Sequence, residues 1–182
     1  MLKFAMLTAF GQDRPGIVAA LTEGLFKLGC NIEDTCMTRL RGEFAMMVML
    51  RLPDGLSADQ LPQHLTPHTS HLTLTLLCRE LPLETAERKT EQDQAIYMLS
   101  VYGADHPGIV ASVARVLSDH GANITDMNTR VIGNADRPVY VMVLEIQMPA
   151  STNPTELQSA LDSLKPTLGV DLTFRPLEQF TL

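Results

Sequence analysis

Gly11-Gln12-Asp13-Arg14-Pro15-Gly16-Ile17-Val18-Ala19 returns 92 positions later as Gly103-Ala104-Asp105-His106-Pro107-Gly108-Ile109-Val110-Ala111. At the same offset Gly29-Cys30-Asn31-Ile32-Glu33-Asp34 meets Gly121-Ala122-Asn123-Ile124-Thr125-Asp126, so the likeness runs well past the Pro-Gly step. A chain of 182 residues that repeats itself at this interval is a tandem duplication of two units, each large enough to fold alone.

Upstream of the first motif, the apolar run Leu2 to Phe10 reads as a buried strand that ends in a turn at Gly11. Downstream, Pro15 suits the first position of a helix, with Arg14 before it as N-cap. Ile17, Leu21, Leu25 and Leu28 then recur at helical spacing, and Gly29 supplies a left-handed stop. Ile109, Val110, Val113 and Leu117 repeat the pattern ahead of Gly121.

Ile32 to Leu40 and Phe44 to Leu52 predict two strands around a tight hairpin at Arg41-Gly42-Glu43. The second of these is apolar on both faces, which predicts a central strand covered on both sides. Ser57 to His68, carrying Leu61 and Leu65, predicts a second helix, and the alternation Leu72-Thr73-Leu74-Thr75-Leu76 a fourth strand. The second unit repeats the order, with a hairpin five residues longer through Asn134-Ala135-Asp136-Arg137-Pro138.

The order βαββαβ, taken twice, predicts an α+β chain of two tandem ferredoxin-like domains. Each is a four-stranded antiparallel sheet with two helices on one face. The domains are expected at residues 1–81 and 94–182, with 82–93, charged and poor in apolar pattern, as linker.

Hydrophobic residues at 45% and charged residues at 19% describe a globular chain. A net charge of −7 argues against direct binding of nucleic acid, which needs a basic surface. No apolar run approaches membrane-spanning length and Met1-Leu2-Lys3-Phe4 leads straight into a strand, so no membrane contact and a cytoplasmic location are expected. Cys30, Cys36 and Cys78 show no metal or disulfide spacing and read as small buried hydrophobes.

The repeated turn carries the chemistry. A helix N-terminus with free N–H groups beside Asp13 or Asp105 can hold the carboxylate and the ammonium of an amino acid, and Asn31 and Asn123 offer donor and acceptor. The same residues also serve as a plain helix start and a helix stop, and the residues alone leave both readings open. Thr38-Arg39 and Thr129-Arg130 recur after a one-residue gap and are expected to pair with Asp34 and Asp126. His64, His68 and His71 are read as solvated, because Pro67 interrupts their helix and no Glu or Cys accompanies them; no metal and no cofactor are expected. No nucleophile elbow, phosphate loop or zinc-protease signature occurs, so no enzyme activity is expected.

Asp13-Arg14-Pro15-Gly16-Ile17-Val18 opening the first helix, with Gly29-Cys30-Asn31-Ile32 leading into the second strand, resembles the ACT domain, and the resemblance covers both halves. It implies a non-enzymatic sensor of a small amino acid, in tandem regulators a control element of transcription that acts through a separate DNA-binding protein, and homo-oligomeric association. It places ligand contacts at Gly11, Asp13, Arg14, Pro15, Gly16 and Asn31, and at Gly103, Asp105, His106, Pro107, Gly108 and Asn123. Gly11 and Gly103 stand where serine-sensing members carry a side-chain donor, which argues against serine and leaves room only for a backbone contact; the resemblance makes glycine the expected small amino acid. An oligomerisation module with empty clefts is the alternative.

Overall fold

The computed structural model describes residues 2–86, 95–134 and 137–177. The chain divides into two compact units, Met1–Thr90 and Glu91–Leu182. The first contains β1 (Lys3–Gln12), α1 (Ile17–Lys27), β2 (Asn31–Leu40), β3 (Glu43–Leu52), α2 (Leu61–Thr69), a 3-10 turn (Ser70–Leu72), β4 (Thr75–Leu81) and α3 (Leu83–Ala86). The second contains β5 (Ala95–Ala104), α4 (Ile109–Asp119), β6 (Asn123–Asn134), β7 (Arg137–Met148), α5 (Pro154–Asp162), α6 (Leu164–Leu168) and β8 (Val170–Pro176). Their antiparallel sheets run β2-β3-β1-β4 and β6-β7-β5-β8, the ferredoxin-like order.

One face of each sheet packs on its helices. In the first unit Ala5, Leu7 and Ala9 of β1 and Phe44, Met46, Val48 and Leu50 of β3 meet Ile17, Leu21 and Leu25 of α1 and Leu61 and Leu65 of α2, all buried. Leu99, Val101, Met142, Leu144, Ile146, Ile109, Val113, Leu117, Leu157 and Leu161 form the matching core of the second. Each fully buried leucine of this kind contributes about 1.5–3 kcal/mol of transfer free energy.

Several boundaries differ from the sequence reading, each for a local reason. Helix α1 begins at Ile17, not Pro15, and Arg14 is not its N-cap. Pro15 and Gly16 instead form a turn, with Gly16 at φ 95°, ψ −9°, the geometry of the third residue of a type II turn. His106-Pro107-Gly108-Ile109 repeats it, with Gly108 at φ 103° and α4 starting at Ile109. At the other end the stop is as expected: Gly29 has φ 73°, and Cys30 N–H donates to Leu25 O at 3.0 Å.

Strand β1 does not turn at Gly11 but runs through it to Gln12, pairing Gly11 with Phe44. Helix α2 starts at Leu61, directly after a turn over 58–60, and Pro67 lies inside it without ending it. Strand β4 starts at Thr75; Leu72 is buried from the 3-10 turn, so the inward alternation begins before the strand does. The first hairpin closes over two residues, Arg41 and Gly42, with φ 49° and 88°. In the second the ladder continues to Asn134↔Arg137, so the insertion lengthens β6 and β7 rather than opening a long loop. Ala135 and Asp136 lie outside the described residues, as do residues 87–93 of the expected linker.

Strand β3 is central but not covered on both faces by its own unit. Phe44, Met46, Val48, Leu50 and Leu52 are buried, whereas Met47 on the opposite face is 51% exposed. The cysteines are less buried than expected: Cys36 is exposed, and Cys30 and Cys78 are half-buried. No helix among the described residues is long and apolar enough to cross a membrane.

Candidate functional site

Each unit presents its turn at one end of the sheet. In the first, Asp13 N–H donates to Gly42 O at 2.8 Å, which ties the turn to the β2–β3 hairpin. Arg39 Nη1 donates to Asp13 Oδ2 at 3.2 Å, and Arg14 Nη2 to Gln12 Oε1 at 2.9 Å. Ala20 N–H makes the first bond of the helix, to Gly16 O at 2.9 Å, and no side chain caps the preceding N–H groups. They remain available to an anion, with the positive end of the helix dipole behind them.

The second turn is built alike but charged differently. Ser112 N–H donates to Gly108 O at 2.9 Å, and again no side chain caps α4. His106 stands where Arg14 stands, and its ring lies between two carbonyl oxygens. Nδ1 is 3.0 Å from Pro107 O, and Nε2 is in hydrogen-bond contact with Leu168 O at the end of α6. Only the imidazolium can donate at both positions, and the Leu168 carbonyl, followed by that of Pro107, holds the His106 pKa above its ordinary value.

Gly11 and Gly103 have a packing reason to be glycine. A Cβ on Gly11 would stand 2.8 Å from Thr73 O, and one on Gly103 2.8 Å from Gly169 O and 2.9 Å from the Cα of Val170. The chain leading into the last strand of each unit runs too close for a side chain. At the equivalent point Thr73 has φ 51° and Gly169 φ 57°.

The asparagines are not part of the same cleft as the turn of their own unit. Asn31 pairs with Arg51, which pairs with Phe4, whereas the turn follows Gln12. Eight residues along β1 separate these rows, about 26 Å at the usual strand rise. Asn31 Nδ2 donates to Glu33 Oε1 at 2.8 Å, and Glu33 in turn pairs with Arg51. Asn123 sits likewise, in the row of Gln147 and Ile96, at the far end of its sheet from Asp105, His106, Pro107 and Gly108. Strand direction explains this: β1 and β2 both run antiparallel to the β3 between them, so the start of β2 lies at the same end of the sheet as the start of β1.

The two arginines do not occupy equivalent places. Arg39 pairs with Phe44 and lies in the row of Gly11, but the row of Gly103 and Tyr140 holds Val131. Arg130 falls in the row that holds Thr38 in the first sheet. The expected pairs with Asp34 and Asp126 are not formed: Asp34 accepts from Thr35 N–H, and Asp126 from Asn128. Among the described residues no three His, Cys, Asp or Glu side chains converge as metal ligands; His64 and His71 are exposed, and His68 is half-buried. The His106–Leu168 contact and the strained Thr73 carry no periodic signal that sequence reading could use.

Strands β2 and β6 are outer strands of their sheets, and every residue of β2 is exposed. Ile32, Met37 and Leu40 on β2 and Met127, Val131 and Ile132 on β6 place apolar side chains along these edges.

The sequence profile of the ACT domain matches residues 3–78 and 95–175. The glycine cleavage system transcriptional repressor of Escherichia coli (strain K12) is 26% identical over 175 residues, covering 88% of this chain and 83% of the repressor. A UPF0237 protein of Methanopyrus kandleri is 36% identical over 76 residues, 41% of this chain and 80% of its own length. A crystal structure of an unknown protein from Galdieria sulphuraria superimposes with a TM-score of 0.80 at 25% identity, over 98% of this chain and 100% of that one.

Proposed function

The chain belongs to the ACT domain family through both of its halves, and we propose that it senses a small amino acid, with glycine as the favoured ligand, and passes that state to a DNA-binding transcription factor. A regulatory, non-enzymatic role follows from the family and from homology to a transcriptional repressor. The observation that carries the ligand is the uncapped helix start beside a carboxylate, present twice. Its N–H groups suit a carboxylate, and Asp13 or Asp105 suits an ammonium group.

The distance between Asp13 and Asn31 shapes the site. A ligand that touches both must lie between two domains, and the exposed outer strand offers the means. When two β2 strands align antiparallel, the Asn31 end of one lies beside the hairpin and turn of the other. A homo-oligomer of this kind covers an unpaired edge and assembles the site in one step. An acidic chain does not favour DNA, so the transcriptional effect is assigned to a protein partner.

Thermal unfolding against the twenty amino acids at millimolar concentration tests the sensor. A ligand at 100 times its dissociation constant stabilises by about 2.7 kcal/mol and moves the midpoint by several degrees. Glycine is expected to give the shift, and Asp13→Ala combined with Asp105→Ala to remove it. With Asp105→Ala present in every chain, mixing Asp13→Ala with Asn31→Ala chains is expected to restore part of the response, since a mixed oligomer regains one intact pair. The absence of a shift with any amino acid would transfer the assignment to a scaffold without ligand. Co-purification with and without glycine tests the partner separately.

A further inference from the structure

The face of the first sheet turned away from α1 and α2 carries sulfur where the second sheet carries mostly carbon, oxygen and nitrogen. Met6 of β1 is the direct ladder partner of Met49 of β3, and Cys36 of β2 is the direct partner of Met47. Met47 and Met49 are two residues apart on one strand, so all four side chains project from the same face. Direct partners stand about 4.5–5.5 Å apart at Cβ, within easy reach for flexible thioethers. Asp34, the partner of Met49, adds a carboxylate. These residues, with Thr35, line one depression of about 180 Å³. Cys36 and Met47 are exposed and Met6 and Met49 half-buried, so the depression is open to solutes.

In the second sheet the equivalent rows hold Met98, Glu145, Asn128 and Val143, which leaves one sulfur. The sulfur set therefore belongs to one repeat, although both repeats build the same sheet.

We infer that this depression binds a soft monovalent d10 cation, Cu(I) by chemical class, through the Cys36 thiolate and the thioethers of Met6, Met47 and Met49. Thiolate and thioether donors select Cu(I) over hard cations, and the outward face holds too few nitrogen and oxygen donors for a zinc site. On binding, the Cys36 thiol gives up its proton to water, one thiolate bond and three dative thioether bonds to the cation form as its solvent or chelator ligands leave, and the metal keeps its oxidation state. Cys30 and Cys78 lie on the other side of the sheet: Cys78 is the ladder partner of buried Leu7, and both pack against the helix-side core, where burial pushes their thiols up, Cys78 to about 11.

The test is an anaerobic titration of the full chain with Ag(I), a redox-inert probe of the same class, and with Cu(I) in a competing chelator. It is read by methionine methyl NMR. About one equivalent is expected to bind, moving the methyl signals of Met6, Met47 and Met49 and leaving those of Met98, Met142 and Met148 in place. Cys36→Ser and Met49→Leu are each expected to weaken binding by about tenfold or more, as ligand-shell changes do; Cys30→Ser is expected to leave it unchanged. Met49→Leu nearly conserves volume, and its unfolding curve checks that the fold is kept. Unmoved methyl signals overturn the proposal. So does wild-type affinity in Met49→Leu, or uptake that tracks the total number of cysteines, the mark of adventitious thiol binding. A protein partner that protects these methyls while no cation binds assigns the face to docking instead, and also overturns it.

Discussion

Arg39 donates to Asp13 across 3.2 Å, and the position equivalent to Arg39 in the second sheet is Val131, so among the described residues only the first turn has its carboxylate paired with an arginine of the second strand of its sheet. The pair is 70% exposed on the arginine side, and such pairs contribute at most about 1 kcal/mol. Its consequence lies in binding. On the proposed reading a ligand ammonium displaces Arg39 to reach Asp13, whereas among the described residues no arginine or lysine is paired with Asp105. Arg39→Ala is expected to change stability by less than about 1 kcal/mol while strengthening amino-acid binding at the first turn. Val131→Arg is expected to weaken it at the second. Calorimetric titration of both variants checks this, and unchanged affinity in both would detach the carboxylates from the ligand.

Gly11 and Gly103 are expected to be intolerant of any side chain whatever the ligand. Gly11→Ala places a methyl 2.8 Å from the Thr73 carbonyl, and backbone cannot rotate aside as a side chain can. Overpacking of this kind costs about 1–3 kcal/mol. Gly42→Asn is the control: its φ of 88° is left-handed, but nothing lies within 4 Å of the added Cβ. Urea unfolding is expected to show a clearly larger loss for Gly11→Ala than for Gly42→Asn.

These glycines also mark where sequence reading reached its limit. The core was legible because Ile17, Leu21 and Leu25 recur at helical spacing and the central strands are rich in apolar residues, unbroken from Phe44 to Leu50. The duplicated turn was legible as a candidate site because identical chemistry recurs at a fixed offset. Its assembly was not. Asn31 looks adjacent to the turn only until strand direction is drawn, which sends it to the far end of the sheet. Arg39 and Arg130 look equivalent because Thr-Arg occurs twice, yet the ladders keep the 92-residue offset and match Arg39 to Val131. Leu72 joined the fourth strand by alternation because a 3-10 turn can also point a leucine inward.

Thr73 is strained and its counterpart is not. A β-branched residue at φ 51° meets its own carbonyl, whereas Gly169 at φ 57° does not. Thr73→Asn is expected to stabilise the first domain by about 0.5–1 kcal/mol, since asparagine tolerates this region without the backbone freedom of glycine. Gly169→Thr is expected to cost the second domain about 1–2 kcal/mol. Midpoints of urea unfolding at unchanged slope measure both, and opposite signs are the expected result.

His106 is expected to make the stability of the second domain depend on pH. Its folded pKa is raised, first by the Leu168 carbonyl and then by that of Pro107. A raised folded pKa means that the folded state binds the proton more tightly than the unfolded chain. The associated stability is fully present below the ordinary histidine value of about 6.5. It is lost as pH rises through the higher folded value. His106→Gln keeps a donor but cannot charge. The unfolding midpoint of the wild-type chain is therefore expected to exceed that of His106→Gln most at pH 5.5, with the gap narrowing toward pH 8.5. Carboxylates titrating below pH 5.5 move both proteins alike and cancel in the comparison. A gap that is constant across this range would mean that the ring holds Leu168 as a neutral donor, and one that widens with pH would reverse the assignment of the proton.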